Sequence, residues 1–159
     1  MSDVKKLLES VIQNPSTYTI DVQDGSMLPE NLKEKKELSF NVKPPSMGTL
    51  ARCGIVMQEL PEELLSLEKD VTIIDALKHI DKMVKIICIV SHAKETDYPE
   101  WYEPFIMNNA TSKEVFTIFQ EVRLKMQTDF FLPCFHIARD GNPMMIHKMK
   151  NPNDSILTR

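Results

Sequence analysis

One stretch constrains the fold more than any other: Thr72 to Ser91, TIIDALKHIDKMVKIICIVS, the longest strongly apolar run in the chain. At about 100° per residue, Asp75, Lys78, His79, Asp81, Lys82 and Lys85 share one arc, and Ile73, Ala76, Leu77, Ile80, Met83, Val84 and Ile87 share the opposite one. Thr72 and Asp75 stand in the capping-box relation. The spacing therefore predicts one helix that is amphipathic up to Lys85. Beyond it Ile86, Ile87, Cys88, Ile89 and Val90 are apolar all round, so the second half is expected to be enclosed on every side. The run is too short, and too charged at its start, to span a membrane. A helix buried this way needs partners, and the rest of the chain has to supply them.

Before it, Val4, Leu7, Leu8, Val11 and Ile12 repeat at helical spacing, from a cap at Ser2 or Asp3 to a stop at Asn14-Pro15. This narrow stripe suits docking on the domain or on a partner protein. Two period-two segments follow, Thr17 to Val22 and Glu37 to Val42, read as an antiparallel pair joined by a long connection. The connection holds the turn signal Gln23 to Ser26 and a charged stretch, Pro29 to Lys36, read as a loop or short helical turn. Two strands are marginal alone, so their apolar face must rest on helices or be extended by another chain.

Lys43-Pro44-Pro45-Ser46 opens a helix predicted over Met47 to Leu60, with Leu50, Cys53, Val56 and Met57 on one face. Gly48 and Gly54 inside it imply close approach to another helix. A short helix is predicted over Glu62 to Lys69, one from near Glu103 to Asn109, and one launched by the capping box Thr111 to Glu114. A last helix is expected over Phe130 to Ala138. From Asp140 on periodicity is lost, and a flexible tail containing Met144, Met145 and Met149 is expected. The fold class is thus mainly α, about five to six helices with a small antiparallel two-stranded sheet near the N-terminus. The division is one helical domain over 1–139 and a tail over 140–159.

The candidate chemistry is thin. The formal net charge is -4 with mixed signs throughout, which argues against a nucleic-acid-binding face. Cys53, Cys88 and Cys134 lie far apart in apolar stretches, as buried thiols in a reducing compartment would. With no apolar leader in MSDVKKLLESVIQNP, a cytoplasmic protein is expected. His79, His92, His136 and His147 show no metal-ligand spacing with one another or with the cysteines, and neither Cys134-Phe135-His136 nor the acidic pairs make a catalytic set. No Gly-rich phosphate loop occurs. No enzyme, cofactor or metal is expected. Trp101 and Tyr102 are an aromatic anchor or a stacking platform. The candidate protein-binding residues are Val4, Leu7, Leu8, Val11, Trp101, Met144 and Met145.

The order of junctions carries a resemblance. A helix ends at Pro15, a strand Tyr18-x-Ile20-x-Val22 follows, and a second strand runs into Lys43-Pro44-Pro45-Ser46-Met47-Gly48-Thr49-Leu50. Met83-Val84-Lys85-Ile86-Ile87 then precedes Asn109-Ala110-Thr111-Ser112-Lys113-Glu114 and a helix ending near Lys125 to Phe130. From Asn14 to Ala138 this resembles the tail-assembly-chaperone-like proteins of tailed phages and prophages. The chain differs from that pattern in Pro104, Pro133 and its Met-rich tail. The resemblance implies a non-enzymatic chaperone that coats the tape measure protein, helps recruit tail-tube protein, self-associates along its client and is absent from the finished virion. The alternative is a cytoplasmic helical adaptor or regulatory protein-interaction domain unrelated to tails.

Overall fold

A computed structural model describes residues 3–65 and 72–126. Within them the protein is mainly α, seven α-helices and one two-stranded antiparallel sheet near the N-terminus. In order these are α1 (Asp3–Gln13), β1 (Ser16–Asp21), a 3-10 turn (Glu30–Leu32), β2 (Glu37–Val42), α2 (Met47–Met57), α3 (Glu62–Leu65), α4 (Ile73–Leu77), α5 (Ile80–His92), α6 (Tyr102–Asn109) and α7 (Ser112–Met126). The helix expected over Phe130 to Ala138, the domain end at residue 139 and the tail lie outside the described residues.

Helix α5 is the centre. It packs against α2, α6, α7 and β2. Ile86, Ile87 and Cys88 are fully buried, and Met83, Val84 and Val90 nearly so. Three consecutive residues in a helix point about 100° apart, so burying all three requires neighbours on every side. That half of the reading of Thr72 to Ser91 holds except at Ile89, which is half-buried and lines a surface cleft.

The other half needs correction. The stretch is two helices, α4 and α5, separated at Lys78 and His79, where the His79 backbone turns to φ -123°, ψ 20°. No Gly or Pro marks the break. The two pieces are held differently: α4 lies on α7, whereas α5 is enclosed by α2, α6, α7 and β2 together. The expected apolar arc consequently fails at Leu77, which is 47% exposed, although Ala76 one residue before it is buried. The Thr72 cap forms as read, its Oγ1 accepting from the Asp75 N–H at 3.2 Å and donating to Asp75 Oδ2 at 2.7 Å.

The sheet matches its period-two pattern. Tyr18 pairs with Phe40 and Ile20 with Leu38. Ile20, Leu38, Phe40 and Val42 face the core, while Thr17 bonds Asn41 at 2.8 Å and Thr19 meets Ser39 at 3.1 Å on the outer face. α2 starts at the Ser46 cap, which accepts from the Thr49 N–H at 3.2 Å. It ends at Met57, before the expected Leu60. Gly54 is buried, but Gly48 is exposed and a β-carbon there meets only ordinary contacts, nearest 3.7 Å. Close packing therefore does not explain Gly48. Pro104 is the third residue of α6, within the first turn whose N–H groups have no helical partner, so the helix keeps it. The Thr111–Glu114 box is reciprocal: Glu114 N–H donates to Thr111 Oγ1 at 3.2 Å, and Thr111 N–H to Glu114 Oε2 at 2.7 Å.

A buried polar tie joins α7 to the chain's start. The Lys125 ammonium, fully buried, pairs with Glu121 at 3.2 Å and donates to the Asn14 carbonyl that ends α1. Glu121 also accepts from Ser16 Oγ at 2.8 Å. Helix α1 lies along α7.

Two substitutions test this architecture. Ile87→Lys places an unpaired ammonium in the core at a cost of several kcal/mol, against a total stability of about 5–15 kcal/mol. Loss of the cooperative melt by circular dichroism is expected. Ala93 closes α5 in the left-handed region, φ 51°, its N–H donating to the Ile89 carbonyl. Relieving the β-carbon clash should make Ala93→Gly more stable by about 0.5–1 kcal/mol, read from denaturant midpoints.

Candidate binding cleft

An open cleft of about 620 Å³ lies beside β2, lined by Leu32, Lys35, Lys36, Glu37, Leu38, Ser39, Phe40, Trp101 and Tyr102. Its aromatic wall is built by α6 and the residues before it. Trp101 supplies the carbonyl that accepts the Phe105 N–H at 3.0 Å, starting the helix. Its ring meets Tyr102 at 4.6 Å and Phe105 at 6.1 Å, both edge to face. Tyr102 packs edge-on to Phe40 of β2 at 5.5 Å and stacks with Tyr98 at 6.2 Å. Such pairs add about 0.5–1.5 kcal/mol each beyond area burial, so the wall is stiff. The Tyr98 hydroxyl donates to the Glu103 carboxylate. Burial first, and that carboxylate second, push the phenol pKa up.

The other wall is a strand edge. The Val22 N–H donates to the Lys36 carbonyl at 2.8 Å, which sets the alternation of the ladder. Ile20–Leu38 and Tyr18–Phe40 are then the hydrogen-bonded pairs, and the backbone groups of Glu37, Ser39 and Asn41 point away from β1. No further strand pairs with them among the described residues. Lys35, Lys36 and Glu37 supply the charged part of the cleft's lining.

What holds the two walls in register is Asn109, the last residue of α6. Its Oδ1 accepts from the backbone N–H groups of Gln23 and Asp24 at 2.6 and 2.7 Å, and its Nδ2 donates to the carbonyls of Asp24 and Phe105 at 3.0 and 2.9 Å. The side chain is buried, and its amide bonds on both sides. It clamps the loop after β1 onto α6.

The residues picked from sequence divide three ways. Trp101 is half-buried, packs on the core and lines the cleft, so it is both anchor and wall. Val4 is exposed on α1, far along the chain from this site. The side chains of Leu7, Leu8 and Val11, and all of Met144 and Met145, lie outside the described residues. The cleft joins Trp101 to Phe40 and to the outward edge of β2, a combination of distant segments that no local pattern announces. Asn109 was missed as a clamp, because a helix-ending Asn also reads as a simple stop.

Cys53 and Cys88 are buried free thiols. Burial pushes the Cys53 pKa up to about 12, with only a small opposing pull from Arg52, and raises Cys88 further. Among the described residues no group of three or more His, Cys, Asp or Glu could hold a metal, and no helix is long and apolar enough to cross a membrane. Compared with protein-family models, curated proteins and solved structures, the chain matches none of them.

Truncating the clamp, Asn109→Ala, strands backbone groups at a partly buried junction and should cost about 1–3 kcal/mol, measured by chemical denaturation. The thiols give a pH test. A thiol held above its usual value near 9 favours the folded state below that value, and the contribution is lost as pH rises toward 12. Tyr18, raised to about 12 by burial and by Glu121, acts in the same direction above pH 10. Stability should therefore fall steadily on the alkaline side. Iodoacetamide at pH 8 should label Cys53 and Cys88 only after urea unfolding, as read by peptide mass mapping.

Proposed function

We propose that the protein is a non-enzymatic binding protein, a tail-assembly chaperone of a tailed phage or prophage that acts in the host cytoplasm on the tape measure protein and aids assembly of the tail tube. The observation that carries the binding reading is the cleft: an unpaired strand edge beside a rigid aromatic wall. An edge of this kind offers backbone donors and acceptors at a fixed repeat, and an extended client segment completes the sheet while its alternate side chains enter the aromatic wall. Rigid Trp and Tyr surfaces bind at low entropic cost. The phage assignment is supported by the junction pattern from Asn14 to Ala138.

Two measurements test it. Genes for tube and tape measure proteins on either side of this one are expected. In co-expression, the tape measure protein should remain soluble with the wild-type chain. Trp101→Ala should weaken that complex by about tenfold or more, the loss typical of a central aromatic anchor, at a melting temperature that still shows a folded domain. A tape measure protein that stays insoluble beside the folded wild-type chain rejects the chaperone reading.

A further inference from the structure

Helix α2 buries Leu50, Cys53 and Met57 and leaves an exposed apolar ridge, Met47, Ala51 and Ile55. Ile55 lines a second cleft, of about 200 Å³, formed by α2, the end of α5 and the turn that follows it. A cavity of about 150 Å³ accommodates benzene, so this one has room for a molecule a few atoms larger. Part of the lining is apolar: Ile55, Val56, Ile89 and Tyr98. Ile55 is 69% exposed, a large hydrocarbon side chain that the fold itself does not cover. The rest is polar, chiefly Arg52 of α2 with Lys94, Thr96 and Asp97 of the turn.

The polar part is fixed by the fold. Ala93 leaves α5 in the left-handed region at φ 51°, a conformation costly for a residue with a β-carbon and often found at ligand clamps. Arg52 Nη2 donates to the Lys94 carbonyl and, at 3.1 Å, to Thr49 Oγ1. A guanidinium carries five N–H groups, so Nε and Nη1 keep donors for an anion. His92 Nε2 lies 3.2 Å from the Thr96 hydroxyl, and the His92 ring meets Tyr102 edge-on. Lys94 and Asp97 are exposed, and neither has an ion-pair partner among the described residues.

We infer that this cleft binds a small apolar α-amino acid, with its carboxylate on Arg52 and Lys94, its ammonium on Asp97 and Thr96, and its side chain on Ile55, Val56 and Ile89. Charge complementarity selects the class. Two cations and one carboxylate in so small a lining match a carboxylate and an ammonium carried by one molecule, each making charge-assisted hydrogen bonds. A plain acid would set a second carboxylate beside Asp97, and a plain amine would set a third cation beside Arg52 and Lys94. The apolar part of the lining then calls for a hydrocarbon side chain, which covers Ile55.

The two clefts share no lining residue, so the inference stands whether or not the client reading does. Calorimetric titration of the full chain with L-leucine should show saturable binding. Isocaproate has the same hydrocarbon and carboxylate without the ammonium, and isoamylamine has the ammonium without the carboxylate. Each should bind about tenfold or more weaker than leucine, the loss expected when a charged hydrogen-bonding group goes unmatched. Asp97→Asn should weaken leucine by about tenfold or more and leave isocaproate no weaker, while Lys94→Gln should weaken both. Both side chains are exposed, so the melting temperature of each variant should hold. Absence of saturable leucine binding to the wild-type chain overturns the inference. So does isocaproate binding as tightly as leucine, or leucine binding unchanged by Asp97→Asn.

Discussion

Everything in this fold depends on enclosing the second half of α5. A helix apolar on all sides gains nothing from water, so it forces four different elements to converge: α2, α6, α7 and β2. The sheet is part of that enclosure. Two strands alone do not hold together in water, but with Phe40 and Val42 pressed into the core beside α5 the pair becomes a wall of the domain. The outer face then carries only polar cross-strand pairs, and the outer edge of β2 is left unpaired among the described residues.

Burial supplies cohesion without much direction, and two polar ties supply the direction. Asn109 binds the loop after β1 to α6, and the Lys125–Glu121 pair binds the α1–β1 junction to α7. A buried amide or ammonium without partners is costly, so each tie tolerates only an arrangement that satisfies it. Their combined effect is positional. α6 is held where Trp101 and Tyr102 face the β2 edge, and the cleft results from that placement. The proposed client site uses what this arrangement leaves over, an unpaired strand edge beside the aromatic wall.

Much of the local structure was legible. Caps at Ser46, Thr72 and Thr111 are short-range hydrogen-bonding patterns, and each forms where its residues stand. The strands follow from strict alternation, and α7 from its apolar spacing. The break at Lys78–His79 was not legible, because helix propensity is continuous there and only the separate docking of α4 and α5 divides them. Trp101 was recognised as an anchor, but Phe40 and Ser39, which line the cleft with it, come from a strand some sixty residues earlier in the chain. The exposed ridge on α2 was hidden for a related reason. Met47, Ala51 and Ile55 look like any other apolar positions until burial of the opposite face shows which stripe is left over.

The sequence by itself determined the class of fold, the burial of Ile86, Ile87, Cys88 and Val90, the strand alternation and the capped helix starts at Ser46, Thr72 and Thr111. These depend on periodicity and on bonds within a few residues, which a linear pattern records. Only the tertiary structure decided where α4 ends, that Asn109 is a clamp, that Lys125 is buried with Glu121, and that an aromatic wall faces a free edge. Those depend on which distant segments meet, and that is settled by how several apolar faces can be buried at once around a single helix.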